Sequence, residues 1–588
     1  MSIRPLTIAP RFVSSIGIVP TAHAAAVAVI AAIYLLYGLG TYGILNGSEG
    51  LYAEMAREML QNGSFAVPTL NGVPYLEKPP LLAWLVAASF SAFGQSEVAA
   101  RLIPVCAAFA LVACLARFVS RESSPRAGWL AGLIAASSFL QLEIARTLIP
   151  DGLLALFLSL SLFSFFHWHR SPAGRSLVPA YGFLALAVLA KGFVALALAS
   201  ATVAIFAALV PRAWTWRDLF PLRGVLLLAA GAGAWPAWLA WNDPDYAWFF
   251  IWNEHVLRFL GMRQPHDYYS GPFYYYLPRI VACLFPWSLL LPALSRKARK
   301  RSGAADLERF GWAWFAACLV FFSLSEAKGN YYMSVGMPAL CLVVALRILD
   351  AIESGGARRL GATLAVVAVL LGLGALALDL HAWQPAKAEW VAVADQRVVL
   401  ESSLLAAAVL AGAAAMLFRH AQPRAALYAL AVSSLPLVFF VAAALPAVEP
   451  YASGKPLARL IADRYGDARV FIFRDFESVG SVPFYLGREV SIVESHSADL
   501  EFGRRHAPGE GPFVSCEEFQ RIRATSPVLI VVEQRRLAAF RASVASRDLV
   551  PAGRVGGVAL YYGSRARLVA TPSARDRPAA APLPPRTS

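Results

Sequence analysis

Residues 46–80 read NGSEGLYAEMAREMLQNGSFAVPTLNGVPYLEKPP and lie between long apolar segments, yet they contain several charged side chains. Within residues 49–61, apolar side chains recur every four positions, which is the pattern of an amphipathic helix. Ser48 is a suitable N-cap for this helix, and Gly63 is a suitable stop. Because charged faces do not belong in hydrocarbon, the sequence predicts a helix that lies on a membrane surface rather than across the membrane.

The composition of the whole chain is that of a membrane protein. Of its 588 residues, 58% are hydrophobic and only 15% are charged, whereas soluble domains are about 25% charged. Five of the six cysteines lie in apolar runs, so neither a disulfide framework nor a cysteine metal site is predicted. The chain is therefore predicted to be a polytopic, all-α membrane protein.

Apolar runs of about 20 residues are long enough to cross a bilayer. Thirteen spans are predicted, at residues 23–44, 98–115, 127–142, 152–166, 179–190, 193–210, 222–241, 276–294, 310–324, 332–349, 361–380, 404–418 and 426–445. One further apolar run, at residues 80–94, is short and begins with prolines. It is predicted to be a re-entrant or interfacial helix.

The basic residues support this count of spans. With the N-terminus inside, nearly every basic cluster between the spans falls on one side, as the positive-inside rule requires. Counting residues 80–94 as a span would invert all later loops. The net charge of +15 is therefore explained by basic residues in the inner loops, and no nucleic-acid partner is predicted. The opposite, outer face receives the remaining polar segments, at residues 46–97, 146–151, 191–192, 242–275, 325–331 and 381–401.

The composition changes after Pro450. Helices are predicted at residues 455–465 and 535–545, and strands at residues 470–473, 490–493, 528–533 and 558–562. The last stretch is rich in Pro, Ala and Arg and is predicted to be disordered. The predicted division is a transmembrane domain at residues 1–446, an outer α/β domain at residues 447–569 and a disordered tail at residues 570–588.

The outer face collects acids and cations that could carry chemistry. Glu49 could simply complement the dipole of its helix, whereas Asp151 lies where a span begins, a position that favours function. Lys191 is interpreted as a lysine that extends from a short turn to the membrane surface. Cationic and hydroxyl side chains together suit a lipid-linked phosphate, and the candidates are Lys78, Arg258, Lys328 and Tyr332. No glycine pattern for a soluble nucleotide is present.

The segments EGLYAEMAREML, VPTLNGVPYLEKPPLLAWL, ARTLIPD, LAVLAKG, EHVLRF and KGNYYMSVGMPAL occur in this order. Together they resemble the bacterial aminoarabinose transferase and protein mannosyltransferase superfamily. SGKPLARLI and PFYLGREV, in the α/β region, resemble the C-terminal domain of the aminoarabinose transferase branch. The resemblance implies a membrane glycosyltransferase of the GT-C fold that takes sugar from a polyprenyl phosphate.

The resemblance also implies roles for matching residues. Glu49 and Asp151 match family acids and are expected to be catalytic, although Ser48 replaces the Asp that usually precedes Glu49. Leu51 replaces an Arg that usually precedes the family's Tyr. The expected lipid-phosphate ligands are Lys78, Arg258, Lys328, Tyr332 and Tyr52. Some family members are thought to hold a divalent metal at the positions of Glu77 and His255, and this ion is the one cofactor that the resemblance suggests.

The predicted function is sugar transfer from an undecaprenyl phosphate donor to a lipid A, glycan or protein acceptor. The expected location is the bacterial inner membrane, with the active site and the α/β domain in the periplasm. Two alternatives stay open: a lipid-linked glycan transporter, and a non-catalytic lipid-phosphate binder, which the replaced Asp would suit. A transporter should contain repeated halves, and the sequence contains no evident internal repeat.

Overall fold

A computed structural model of the chain describes residues 21–265, 270–294, 305–380, 393–506 and 511–563. Each of the thirteen predicted spans corresponds to a helix or to a broken pair of helices. These are Thr21–Leu36, Glu97–Glu122, Pro125–Ser137 with Phe139–Arg146, Asp151–His169, Val178–Lys191, Val194–Leu209, Leu222–Asn242, Tyr276–Cys283 with Trp287–Leu294, Ala305–Leu324, Met337–Glu353, Ala357–Leu380, Arg397–Arg419, and Pro423–Val432 with Leu435–Ala452. The predicted tail lies outside the described residues.

Length and hydropathy decide which of these helices can cross a membrane. In the described part of the chain seven helices qualify, or nine if each of two bent pairs counts as one span. Four apolar helices are shorter, including Leu81–Phe93 with 13 residues. A helix of that length extends for about 20 Å, less than the roughly 30 Å of a hydrocarbon core. The fold is therefore that of a multi-pass membrane protein, as predicted.

The two bent pairs meet at their breaks. The first pair bends by 58° next to Ser138, and the second bends by 112° around residues 284–286. The backbone N–H of Phe139 donates to the carbonyl of Phe285 across 3.1 Å, and the indole N–H of Trp287 donates to the Ser137 hydroxyl across 2.9 Å. Backbone and side-chain polar groups at a helix break inside a membrane must form hydrogen bonds within the protein. Here the polar groups at one break bind those at the other.

The amphipathic helix of the opening stretch spans Ser48–Asn62 and stops at Gly63, which has the left-handed φ of 70° that favours glycine. This helix is not among those that qualify as membrane spans, and all its residues from Glu49 to Met59 are buried within the protein. Its charges are paired internally, as in the 2.7 Å ion pair between Arg57 and Glu54. The α/β domain covers it so closely that a Cβ on Gly50 would lie 2.7 Å from the Ser481 nitrogen.

The α/β domain contains one six-stranded sheet. In spatial order its strands are Phe513–Val514, Ser491–Val493, Arg469–Phe473, Val528–Glu533, Val558–Gly563 and Val550–Val555. The first four are parallel and the last two are antiparallel to their neighbours. The four predicted strands are confirmed. The two missed strands are the edges: one has two residues, and the other contains Pro and Gly and is mostly exposed.

The helices of this domain are short. Lys455–Tyr465 is confirmed with its predicted bounds. The other predicted helix is broken into Leu537–Ala542 and flanking 3-10 turns. Further helices are Val482–Leu486, Glu501–His506 and Cys516–Thr525.

The α/β domain is joined to the stretch at residues 46–80. The side chain of Asn71 makes two backbone hydrogen bonds of 2.9 Å to Val490. Asn71 follows the strand Thr69–Leu70, which pairs with Val73–Pro74 in a small hairpin. Lys455 forms a 2.6 Å ion pair with Glu97 at the start of a membrane helix. These contacts place the α/β domain directly over one end of the membrane helices.

Candidate active site

A cavity of about 380 Å³ opens between the helix Trp248–Leu257 and the ends of the membrane helices on the side of the α/β domain. Its walls are mostly apolar and include Leu154, Phe193, Val194, Phe259, Leu260, Phe321 and Phe322. Its polar lining includes Lys78, Lys191, Arg258 and Tyr332. We call this cavity the cationic groove. Its construction suits a ligand that has a hydrocarbon part and an anionic head.

The carboxylate of Glu254 forms ion pairs with three cations at or near the groove. It accepts from Lys78 at 2.9 Å and from Arg258 at 3.0 Å through one oxygen. Its other oxygen accepts from Arg263 at 2.5 Å, and Arg263 also pairs with Glu77. Because Glu254 and Glu77 are buried, removing one member would leave an uncompensated charge and cost about 3–5 kcal/mol.

The two carboxylates of this cluster have opposite protonation tendencies. Burial raises the pKa of Glu77 to about 8, although the neighbouring Arg263 opposes this shift. Burial acts on Glu254 in the same way, but Lys78, Arg258 and Arg263 together outweigh it and hold the pKa of Glu254 below its usual range. Glu254 is therefore the firmly ionised member, and Glu77 is the member that can take up a proton near neutral pH.

Asp151 and Lys191 form a second buried pair beside the groove. The ammonium of Lys191 donates to Oδ1 of Asp151 across 2.5 Å, and it also lies 4.4 Å from the centre of the Tyr332 ring. No described group donates to the buried Oδ2 of Asp151. A buried carboxylate oxygen without a donor is costly, so this atom is a natural acceptor for a substrate hydroxyl.

The interpretation of Lys191 as a lysine that extends to the membrane surface is wrong. Its side chain is only 14% exposed and is directed to Asp151. The sequence shows that Lys191 lies between two apolar runs. It does not show that the end of the helix Val178–Lys191 lies beside the start of the helix Asp151–His169, where Asp151 is. The motif LAVLAKG was the available signal.

Glu49 has a different environment from Asp151. Arg101 binds both of its oxygens, at 2.9 and 2.7 Å, and the backbone N–H groups of Leu45 and Leu148 donate to it as well. The remaining donors of Arg101 bind the carbonyls of residues 39, 42 and 43. Both side chains are fully partnered and outside the cationic groove. A catalytic role for Glu49 stays a prediction. The observed contacts of Glu49 are those of a side chain that fixes the loop before Asp151.

Two predicted phosphate ligands are outside the groove. Lys328 is buried and donates to the carbonyls of Phe322, Ser323 and Ser325, so all three of its N–H donors are used at the end of a helix. Tyr52 is also buried, and burial raises the pKa of its hydroxyl. Tyr52 lies within electrostatic reach of Asp151, Glu77 and Arg258, so it belongs to the site although it does not line the groove.

The predicted metal ligands do not fit a metal site as they are placed. Nδ1 of His255 donates to the carbonyl of Phe250 at 2.6 Å, and its Nε2 accepts from the N–H of Phe193 at 3.0 Å. Burial lowers the pKa of His255 to about 4, so the ring stays neutral. Glu77 is paired with Arg263. In the described part of the chain, the group of three residues that could share an ion is Asp243, Asp245 and His506.

The sequence did not single out three other members of the site. Glu254 was visible only as the first residue of EHVLRF, and Arg263 only as one basic residue among many aromatics. Asp499 comes from the α/β domain and lies within electrostatic reach of Arg258 and Arg263. No local pattern in the sequence could connect Asp499 with residues more than 200 positions earlier.

A family model described as dolichyl-phosphate-mannose-protein mannosyltransferase matches residues 77–238. An undecaprenyl phosphate-alpha-4-amino-4-deoxy-L-arabinose arabinosyl transferase of Shewanella sediminis is 31% identical over 55% of this chain. That alignment covers 59% of the Shewanella protein, which is less than two thirds of its length. The protein with the same description from Yersinia enterocolitica is 26% identical over 90% of this chain and 96% of its own.

The fold is similar to that of a solved structure. The crystal structure of ArnT from Cupriavidus metallidurans, bound to undecaprenyl phosphate, matches with a TM-score of 0.79 at 22% identity. The match covers 94% of this chain and 100% of that chain. The GT-C fold is thereby confirmed, and so is the resemblance: the chain is similar in sequence and fold to the aminoarabinose transferases of the protein mannosyltransferase superfamily.

Proposed function

We propose that this chain is a glycosyltransferase that takes a sugar from a polyprenyl phosphate donor, with undecaprenyl phosphate–aminoarabinose as the first donor to test. The observation that carries the proposal is the cationic groove. Its apolar walls suit a prenyl chain, and Lys78, Lys191 and Arg258 suit the phosphate. The descriptions of the similar proteins from Shewanella and Yersinia name the same kind of donor.

Leaving-group stabilisation is the main chemical task of the groove. When the acceptor oxygen attacks the anomeric carbon, the bond from this carbon to the phosphate oxygen breaks and negative charge develops on the phosphate. Lys78, Lys191 and Arg258 are already fixed by acidic partners. Preorganised cations stabilise this charge without reorienting during the reaction.

Asp151 is proposed to receive or orient the attacking hydroxyl. Its Oδ2 is buried and has no described donor, while Lys191 holds its other oxygen. A hydroxyl acceptor would donate to Oδ2 and lose its proton there as the new glycosidic bond forms. An acceptor that is itself a phosphate would need little help from a base.

Glu49 is proposed as a positioning residue for this loop. Its Oε1 accepts from the N–H of Leu148, three residues before Asp151, at 3.2 Å. Arg101 fixes the same carboxylate on the other side. Glu49 would thus act through the backbone of the loop.

The reaction is proposed to occur on the periplasmic face of the bacterial inner membrane, with lipid A, a glycan or a protein as acceptor. The predicted orientation supports this face, because the basic loops lie on the opposite side. Tyr52 and Lys328 are proposed to support the phosphate site from behind, through the loops on which they lie.

Reconstituted transfer tests the proposal. The purified chain in liposomes, given labelled undecaprenyl phosphate–aminoarabinose and lipid A, should release undecaprenyl phosphate and label the acceptor. Asp151→Asn should lower both signals by about 10²- to 10⁴-fold for a hydroxyl acceptor, while the chain still inserts. Movement of the intact donor across the bilayer would favour a transporter, and binding without bond cleavage would favour a non-catalytic receptor.

A further inference from the structure

The α/β domain places one carboxylate at the edge of the candidate active site. Asp499 lies just before the helix Glu501–His506, and this helix packs against the membrane domain. The Phe502 ring stacks on Phe249 with a centroid separation of 4.0 Å, and Gly503 is so close to the Pro74 carbonyl that a Cβ would clash. The position of Asp499 is therefore fixed from both domains.

Asp499 lies within electrostatic reach of several groups around the cationic groove. Its charge acts on the hydroxyls of Tyr52 and Tyr75, and the guanidinium groups of Arg258 and Arg263 act on it in turn. Arg258 also lines the cationic groove. A phosphate bound at Arg258 would bring its sugar within electrostatic reach of Asp499.

Among the described residues, Asp499 forms no direct ion pair, unlike Asp151 and Glu254, and Arg258 and Arg263 act on it only at longer range. Asp151 is paired with Lys191, and Glu254 is paired with three cations. Within the part of the chain that the structure describes, no cation lies within 4 Å of the Asp499 carboxylate, and the residue is mostly buried but partly exposed.

A second acid, Glu477, lies next to Asp499. Glu477 accepts from the backbone N–H of Asp499 at 3.3 Å and from the hydroxyl of Ser497. We call Asp499 and Glu477 the acid pair. Two neighbouring carboxylates repel each other, and a donor phosphate nearby would add a further negative charge. A cation placed beside the acid pair would relieve this repulsion.

We infer that the acid pair binds an ammonium group on the transferred sugar, with Asp499 in contact with this group and Glu477 holding Asp499. This inference rests on the proposed function and adds to it a determinant of sugar specificity. The α/β domain would then take part in choosing the donor. A carboxylate that binds an ammonium through a charge-assisted hydrogen bond contributes discrimination of about 10- to 100-fold against a neutral analogue.

Two donors test the inference. Undecaprenyl phosphate–aminoarabinose carries an amine where undecaprenyl phosphate–arabinose carries a hydroxyl. The wild-type chain in liposomes should have a kcat/KM about 10- to 100-fold higher for the amino sugar. Asp499→Asn should remove most of this preference, and Glu477→Gln should reduce it less. Glu501→Gln is the matched control, because Glu501 is two positions away and pairs with Arg505 at the surface.

The outcomes separate the two proposals. If the wild-type chain transfers neither sugar, the proposed function fails. If it transfers both sugars, and Asp499→Asn keeps the wild-type preference, only the role of the acid pair is overturned.

Discussion

Glu49 and Asp151 are both buried acids that the sequence marks as catalytic, and both pair with a cation. Glu49 accepts hydrogen bonds on both oxygens, from Arg101 and from two backbone N–H groups. Asp151 has one oxygen on Lys191 and the other without a described donor. A completely satisfied carboxylate has no capacity left for a substrate, whereas a half-satisfied one has. The number of hydrogen-bond partners on its oxygens therefore separates a structural carboxylate from a reactive one.

The largest expected effect comes from Asp151→Asn. The amide oxygen can still accept from Lys191, so the fold should persist, but the group can no longer take a proton. Transfer to a hydroxyl acceptor should fall by about 10²- to 10⁴-fold, measured as initial rates in liposomes. Near wild-type rates would show that the open oxygen of Asp151 has no part in catalysis.

Glu49→Ala should instead act on stability. It removes the carboxylate from buried Arg101 and should lower the free energy of unfolding by about 3–5 kcal/mol, measured by denaturation in detergent. Arg101→Met provides the reciprocal variant. Unchanged stability combined with complete loss of transfer would contradict the comparison and restore Glu49 as a catalytic residue.

Lys191 and Lys328 allow the same comparison among cations. Lys191→Met removes a lysine that lines the groove and should raise the KM for the donor by about 10- to 100-fold. Lys328→Met removes a lysine whose donors bind backbone carbonyls, so it should lower stability more than donor affinity. Equal effects on KM would mean that Lys328 reaches the phosphate, as the resemblance implied.

The acid pair should make sugar preference depend on pH. Burial, reinforced by Glu477, raises the pKa of Asp499 to about 7. Below this pH Asp499 is neutral, so the preference for the amino sugar should grow from about pH 6 to about pH 8. The charged and titratable groups that face Asp499 are Glu477, Glu254, Arg258, Arg263, Tyr52 and Tyr75. Asp499→Asn should flatten the profile, and a pH-dependent preference in this variant would point to another group.

The smallest expected effect concerns the metal. Because both nitrogens of His255 are bound to backbone groups and Glu77 is paired with Arg263, chelation should leave the transfer rate unchanged. The measurement compares initial rates before and after dialysis against EDTA. A loss that Zn²⁺ or Mn²⁺ restores would show that His255 and Glu77 rearrange to hold an ion.

Sequence reasoning located much of the site, but it could not assign partners. Periodicity and charge placed Lys78, Asp151 and Arg258 on one side of the membrane. In the structure Lys78 and Arg258 line the cationic groove, and Asp151 lies beside it through its ion pair with Lys191. Periodicity could not show that the helix Ser48–Asn62 is covered by protein, because a domain 400 residues later supplies the cover. The positions of Lys191 and Asp499 in the site could not be predicted for the same reason, because they depend on contacts between distant segments.

Binding of undecaprenyl phosphate measures directly whether the cationic groove is the donor site. Native mass spectrometry of the purified chain should detect one bound lipid phosphate, and the double variant Lys78→Met with Lys191→Met should lose it. The control Lys328→Met should keep it if the variant folds. Equal retention of the lipid phosphate by the folded double variant would contradict the assignment of the cationic groove as the donor site.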